Sequence, residues 1–432
     1  MANYQAEYRS KVVSVDEALS HIKSGYSISS AFAGNEPFTL LGNLHKLQGK
    51  VSGIKVFTSL NLAKYEFMNN PAYKDTFDVQ SNFMMETNRQ AHKAGLLTYM
   101  PGHLHDGTSR WISHNGMNVY VGAVSPMDKH GYFRMSLSMV HERILLEHAD
   151  LVIVEVNPNM PIVFGDNELH VSDVDYVVEV NTPIPTLPKG AIGPKEKAIG
   201  EYVSTLVNDG DTIQLGIGAI PDAVGAAFMD KHDLGVHTEM ITSVIADLVD
   251  AGVVTGKKKT LHPRKIVATF ALGSKELYDV LDNNPAIMIM DGSYTNNSWV
   301  MAQNDNMVSI NNGLAVDLTG QVCSESVGSL QYSGTGGQND TAVGAIHSKN
   351  GRSIIALKST AKNDTISTIS AQLPLGSVVT LSRNNLDYVV TEYGIAPMKG
   401  RTVRERVNNL AAIAHPNFRA QLKADAEKLM LW

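Results

Sequence analysis

A single cysteine, Cys323, stands among 432 residues. One thiol cannot close a disulfide within the chain, and it cannot build a cysteine-based zinc site. This usage fits a reducing compartment, so a cytoplasmic location is expected. Long apolar runs are also missing. The longest, such as Leu151-Val-Ile-Val154, are the size of a strand, far short of the about 18 residues that span a bilayer. The start, Met1-Ala-Asn-Tyr-Gln-Ala-Glu-Tyr-Arg9, lacks the apolar stretch of a secretory signal. Excess positive charge is absent too. With a formal net charge of −7, neither nucleic acid nor an anionic membrane is expected as a partner. A local basic patch for a phosphate-bearing ligand remains compatible with that balance.

What is present describes a folded α/β protein. Hydrophobic residues make up 43% and charged residues 18%, as in a globular chain, and the length calls for two domains or three. Short β-rich runs alternate with helical patterns. Strands are expected at Tyr26–Ala33, Ile54–Leu60, Asn118–Val124, Leu151–Val156, Thr212–Ile217, Ile266–Leu272, Ala286–Met290, Ser353–Leu357 and Tyr388–Thr391. Several are apolar on both alternations, as strands covered on two faces must be. Between them, Ser14-Val-Asp-Glu17 and Thr402-Val-Arg-Glu405 read as capping boxes that open helices. Lys195–Asn208 is amphipathic and ends at Asp209-Gly210. The alternation predicts mainly parallel sheets.

The chain also repeats an order of elements. A helix, Gly25, the run Tyr26–Ala33, a small-residue turn and Pro37 recur as a helix, Gly210, the run Asp211–Ile217, a turn and Pro221, about 185 residues later. Two related domains follow, expected at residues 1–185 and 186–432. The stretch Pro183-Ile-Pro-Thr-Leu-Pro-Lys-Gly190 is the natural linker.

Three segments are candidates for chemistry. In Gln214-Leu-Gly216-Ile-Gly218-Ala-Ile-Pro221, a strand enters a glycine turn and then a helix. Glycine allows close backbone approach and positive φ, and the helix start favours anions. The same spacing also serves a plain strand–helix turn. It even suggests an NAD(P)-dependent dehydrogenase, with Glu239 lying 21 residues after Gly218, although Pro221 replaces the third glycine of that fingerprint. Ser333-Gly-Thr-Gly-Gly-Gln-Asn-Asp340 suits either a nest of backbone N–H groups or an ordinary surface loop. Ser125-Pro-Met-Asp-Lys-His-Gly131 is a substrate loop or a type I turn. His237-Thr238-Glu239 matches half of a zinc-deaminase signature, but the cysteines of its other half do not exist here. By residue type alone, Glu239 reads as a solvated surface carboxylate.

Together these segments resemble the acetyl-CoA hydrolase/transferase family, and within it the 4-hydroxybutyrate and butyryl-CoA:acetate CoA-transferase branch. The resemblance rests on Val124–Phe133, Glu155-Val-Asn157, Gly165-Asp166, His170-Val-Ser172, Gln214–Val224, Asp233–Met240, Val316–Val322, Tyr332–Gln338 and Val389–Ala396. It implies two tandem CoA-transferase-type (NagB/RpiA-like) α/β domains with mainly parallel sheets. It makes Glu239 the nucleophile and the glycine loop Gly334, Gly336 and Gly337 the oxyanion site. It places CoA against Gly216, Ile217, Gly218, Ala219 and Ile220, near Gly313 and Leu314, at Gly337, and with Lys362 toward a phosphate. The implied substrates are acyl-CoA and short-chain carboxylates, with no metal, no tightly bound cofactor and a homodimeric assembly. A short-chain acyl-CoA hydrolase is the alternative within the family. One departure bears on acyl preference: Thr341 and Val343 stand where the family usually has Phe and Arg. A glutamate with an ordinary pKa of about 4.3 is expected to be ionised and ready to attack.

Overall fold

The computed structural model describes residues 4–431, so the first three residues of the Met1–Arg9 stretch lie outside the described residues. The chain divides into two compact units. One comprises the chain up to Leu187 together with Thr269–Tyr294, and the other Pro188–Ala268 together with the chain from Thr295 onward.

The first unit is built on β1 (Ser27–Ser30), β2 (Ile54–Thr58), β3 (Phe77–Ser81), β4 (Leu97–Tyr99), β5 (Val119–Val124), β6 (Leu151–Val156) and β7 (Tyr176–Glu179). They form one sheet in the order β7-β6-β5-β1-β2-β3-β4, parallel throughout. Every residue of β5 is buried, which explains its unbroken Val-Tyr-Val-Gly-Ala-Val run. Ile28, Val56, Val79, Val121 and Ile153 build the core with Leu40, Leu41 and Leu44. Burying each such side chain stabilises the unit by roughly 1.5–3 kcal/mol.

The second unit repeats this plan with β8 (Thr212–Leu215), β9 (Gly235–Ile241), β10 (Ile266–Ala271), β11 (Met307–Asn312), β12 (Arg352–Ala356), β13 (Tyr388–Thr391) and β14 (Gly394–Pro397). Its order is β14-β13-β12-β11-β8-β9-β10. In both units the first strand sits centrally, the next ones extend to one side, and the chain then returns to build the other side. The repeat of helix, glycine, strand and turn therefore corresponds to a repeat of topology. Strand β14 departs by pairing antiparallel with β13.

The contiguous division at residue 185 does not describe the segment 269–294, which packs with the first unit. Met139 N–H donates to the Thr269 carbonyl and Ala271 N–H to that of Leu137, both at 2.8 Å. Gly292 N–H donates to the Met139 carbonyl, also at 2.8 Å. The chain changes unit inside β10, where no composition shift marks the event. The stretch 183–190 is irregular but not loose. Pro185 accepts from the Tyr278 hydroxyl at 2.6 Å, and Gly190 N–H donates to Asp222 at 2.7 Å.

Local signals match the element ends. The Ser14 hydroxyl accepts from Glu17 N–H at 3.2 Å, and Thr402 and Glu405 form a full capping box. The helix expected at Lys195–Asn208 runs Pro194–Ser204, with proline in the first turn where its missing N–H does no harm. In the Ser125–Gly131 loop, the Asp128 carboxylate accepts from the N–H groups of His130 and Tyr132 at 2.8 and 3.0 Å, which makes this stretch an Asx-type turn. Among the described residues no helix is long and apolar enough to cross a membrane.

Candidate active site

Glu239 lies on β9, a strand the sequence did not announce, because it is polar yet enclosed. His237 and Thr238 are both fully buried, and Glu239 keeps partial access to solvent. Strand alternation sends His237 and Glu239 to one face and Thr238 to the other. Asn296 Nδ2 donates to Glu239 Oε2 at 3.0 Å, and Gly337 N–H also donates to the carboxylate. A Cβ on Gly337 would overlap both the Glu239 carboxylate and the Asn296 amide, so the close approach requires glycine at that position.

These surroundings alter the acid. Burial, followed by the negative charge of Asp340, pushes the Glu239 pKa up to about 7, against the opposing hydrogen bonds from Asn296 and Gly337. Glu239 is therefore not the fully ionised carboxylate expected from its residue type. Near pH 7 roughly half of it carries a proton. Asp340 is itself 1% exposed, in the first turn of the helix Gln338–His347.

The expected CoA-binding residues fall at the carboxyl ends of two adjacent strands of the second unit. The turn 216–220 follows β8, and Gly313-Leu314 follow β11, its parallel neighbour. Between these two strands the order of connection reverses, the place where open parallel sheets form a crevice. The turn is accessible, with Ile217 38% exposed. Gly218 has φ +107°, and nothing lies within 4 Å of where its Cβ would be. Glycine is required there for backbone conformation, not for space. The β8–β9 register pairs Thr212 with Gly235, and the same offset of 23 sets Gly216 level with Glu239.

Asn312 joins the pieces. Its Nδ2 donates to the Ile217 carbonyl at 3.0 Å, and its own carbonyl accepts from Gln338 Nε2 at 2.6 Å. The glycine turn, the 313–314 segment and the loop bearing Gly337 thus meet at one residue. That loop is anchored from below by Glu325, whose carboxylate accepts from Gln331, Thr335 and Thr380 at 3.1, 3.3 and 2.9 Å. Gly334 and Gly337 are buried in it, and Gly336 takes φ +54°.

Not every expected residue joins this cluster. Lys362 sits exposed with φ +47°, on the hairpin between Thr360–Ala361 and Ile366–Ser367. Among the described residues no hydrogen bond or ion pair links it to the glycine turn. Thr341, at the family's Phe place, is fully buried. It accepts from Ser309 and Asn311 at 2.9 and 3.0 Å, so it ties its helix to β11 through polar contacts. Two other carboxylates of family-like segments are committed elsewhere: Glu325 as above, and Glu392 to the Ser359 N–H and hydroxyl, both at 2.8 Å. Asn296 went unread in the sequence, Asp340 entered it only as the last residue of the glycine-rich stretch from Ser333, and Asn312 went unread. Their only signal is proximity, and they lie 57, 101 and 73 positions from Glu239.

Comparison with known proteins identifies the family of the chain. The N-terminal domain of the acetyl-CoA hydrolase/transferase family matches residues 1–188, and its C-terminal domain matches residues 273–426. The chain belongs to this family. The 4-hydroxybutyrate coenzyme A transferase of Clostridium kluyveri is 43% identical over 422 residues, 98% of each chain. Among solved structures, RipA from Yersinia pestis is 35% identical, with a TM-score of 0.94 over the whole of both chains. The 4-hydroxybutyrate CoA-transferase of Porphyromonas gingivalis is also 35% identical, with a TM-score of 0.81 over 99% of this chain and all of that one. Similarity to an acetyl-CoA hydrolase of Neurospora crassa is weaker, 26% over 66% of this chain. Family membership overturns the dinucleotide reading of the glycine turn, in keeping with Pro221 at the third-glycine place.

Proposed function

We propose that this protein is a CoA-transferase in which Glu239 is the covalent nucleophile. CoA passes from a short-chain acyl-CoA, 4-hydroxybutyryl-CoA or butyryl-CoA, to a carboxylate such as acetate. One observation carries the reading: a single carboxylate is held by Asn296 and the Gly337 N–H, beside a glycine turn left open at the carboxyl end of β8.

The ionised Glu239 oxygen attacks the thioester carbonyl and expels CoA thiolate, forming an acyl-glutamyl anhydride. The thiolate attacks the glutamyl carbonyl, releasing the free acid and leaving a glutamyl-CoA thioester. The acceptor carboxylate then reverses both steps, and Glu239 is regenerated. Backbone N–H groups of the Gly334–Gly337 loop stabilise the tetrahedral oxyanions, and distant CoA contacts at 216–220 and 313–314 lower the barriers. Lys362 on its exposed hairpin is the candidate contact for a CoA phosphate. CoA acts as substrate, and no bound cofactor is required by this chemistry. A homodimer in the cytoplasm is the expected setting, tested by light scattering of the purified protein.

Replacing Glu239 tests the proposal. Glu239→Ala should abolish transfer. Glu239→Asp retracts the carboxylate by more than about 1 Å, which can cost about a hundredfold in rate, and leaves room for water, so slow acyl-CoA hydrolysis should appear. Borohydride added with acyl-CoA should modify Glu239 alone, and double-reciprocal plots should be parallel. Near-normal transfer by Glu239→Ala, or modification mapping elsewhere, would overturn the reading. Steady CoA release without any acceptor acid would identify a hydrolase instead.

A further inference from the structure

We infer that His237 is a positioning residue for the transfer reaction, setting the Asn296 amide against Glu239 so that one carboxylate oxygen is tied and the other presented. The inference rests on Glu239 being the nucleophile. His237 and Glu239 are two positions apart on β9 and share a face. The segment facing them offers consecutive residues. His237 Nε2 lies 2.8 Å from the Thr295 carbonyl, and the next residue, Asn296, donates to Glu239 Oε2 at 3.0 Å. Strand and segment are thus joined at two points, and the first sets the geometry of the second.

The proton on His237 is fixed by its other neighbour. Asn304 Oδ1 accepts from Leu261 N–H at 3.1 Å, so the Asn304 amide turns its Nδ2 toward His237 Nδ1, at 3.2 Å. Nδ1 is therefore the acceptor, and the proton sits on Nε2, where it donates to Thr295. Asn304 is fully buried, which holds this arrangement. The charged groups around the pair agree. Lys259 and His262 face His237 and, after burial, oppose its protonation, so its pKa falls to about 3. Asp340 faces Glu239. His237 stays neutral over the working range and does not exchange protons with substrate. The Asn296 Oδ1 atom is buried without a hydrogen-bond partner, so this amide has no second bond of its own oxygen to fix its orientation.

The test follows formation of the glutamyl-CoA thioester from butyryl-CoA in a single turnover, across pH, by mass spectrometry. His237→Ala should slow this step by about 100-fold, with the butyryl-CoA KM within about threefold of the parent. Loss of the Asn296 donation should move the half-maximal pH upward, because that hydrogen bond favours the carboxylate. His237→Gln, whose amide still reaches Thr295, should recover roughly tenfold or more, and the shorter His237→Asn should not. If His237→Ala is insoluble, the Gln and Asn pair carries the comparison. Equal rates and an unshifted pH midpoint for Gln and Asn overturn the inference, as does a wild-type profile for His237→Ala. A Glu239→Ala protein that still transfers CoA overturns the underlying reading instead. An inactive Glu239→Ala beside a normal His237→Ala overturns only the positioning role.

Discussion

The two units end their first strands in the same way and use the result differently. After β1, residues 31–37 are all buried, and the protein's own side chains fill the turn. Phe32 N–H donates to Glu142 at 3.0 Å, Leu40 N–H to Glu155 at 2.5 Å, and Asn35 bridges to Met135 and Leu137. Glu36 accepts from Asn61 and from Leu62 N–H at 2.7 and 2.8 Å. After β8, the corresponding turn carries glycines, is accessible, and takes its main side-chain contact from Asn312 at the Ile217 carbonyl. One copy of the topology satisfies its backbone donors internally and serves as scaffold. The other leaves Ile217 and Gly218 exposed, as a turn that met a ligand would have to be.

The sharpest way to break this contrast is at the open site. Gly337→Ala should reduce transfer at least about a hundredfold, since the new Cβ displaces the carboxylate or the Asn296 amide. Steady-state rates with butyryl-CoA and acetate check this, and a normal rate would mean that Gly337 does not abut the reacting group.

The filled turn should show itself in stability instead. Burial raises the Glu36 pKa to about 7. A carboxyl raised in the folded state contributes stability that is full below its unfolded pKa and is lost as pH climbs through the folded value. The protein should lose on the order of 2 kcal/mol between about pH 5 and pH 8 from this group. Glu36→Gln should flatten that fall, since a flipped Asn61, whose Oδ1 has no partner, can accept from the new amide. Urea midpoints at the two pH values decide it, and an equally steep fall in the variant would exclude Glu36 as the source.

A paired glycine experiment then separates ligand binding from packing. Gly218→Ala meets no atoms but forces φ +107° on a side-chain-bearing residue, a strain of about 1–3 kcal/mol. It should raise the acyl-CoA KM by roughly tenfold. Gly34→Ala would press on the Leu137 side chain at 2.9 Å and should lower the melting temperature while leaving KM unchanged. The reverse assignment of effects would mean that the first unit's turn is the one that binds ligand.

The smallest expected effect is electrostatic. Asp340→Asn removes the charge that helps raise the Glu239 pKa, so the pH at which thioester formation reaches half its maximum should move downward. An unmoved midpoint would show that the Asp340 charge does not help set the acid.

The sequence by itself determined the local and repetitive features. Apolar runs such as Val119–Val124 required buried strands, Ser14–Glu17 and Thr402–Glu405 opened helices, and the recurrence around Gly25 and Gly210 foretold a repeated topology. These follow from periodicity and capping, which act over a few residues. The resemblance carried by many short segments nominated Glu239, which its residue type alone did not. Tertiary structure decided the rest. It placed the polar Gly235–Ile241 run in a buried strand, returned 269–294 to the first unit, and gathered Asn296, Gly337 and Asp340 around Glu239. Those contacts join residues scores of positions apart, and no local pattern encodes them. They are also what change Glu239 from an ordinary ionised carboxylate into an acid poised near neutrality, because burial and a neighbouring charge are properties of the folded chain.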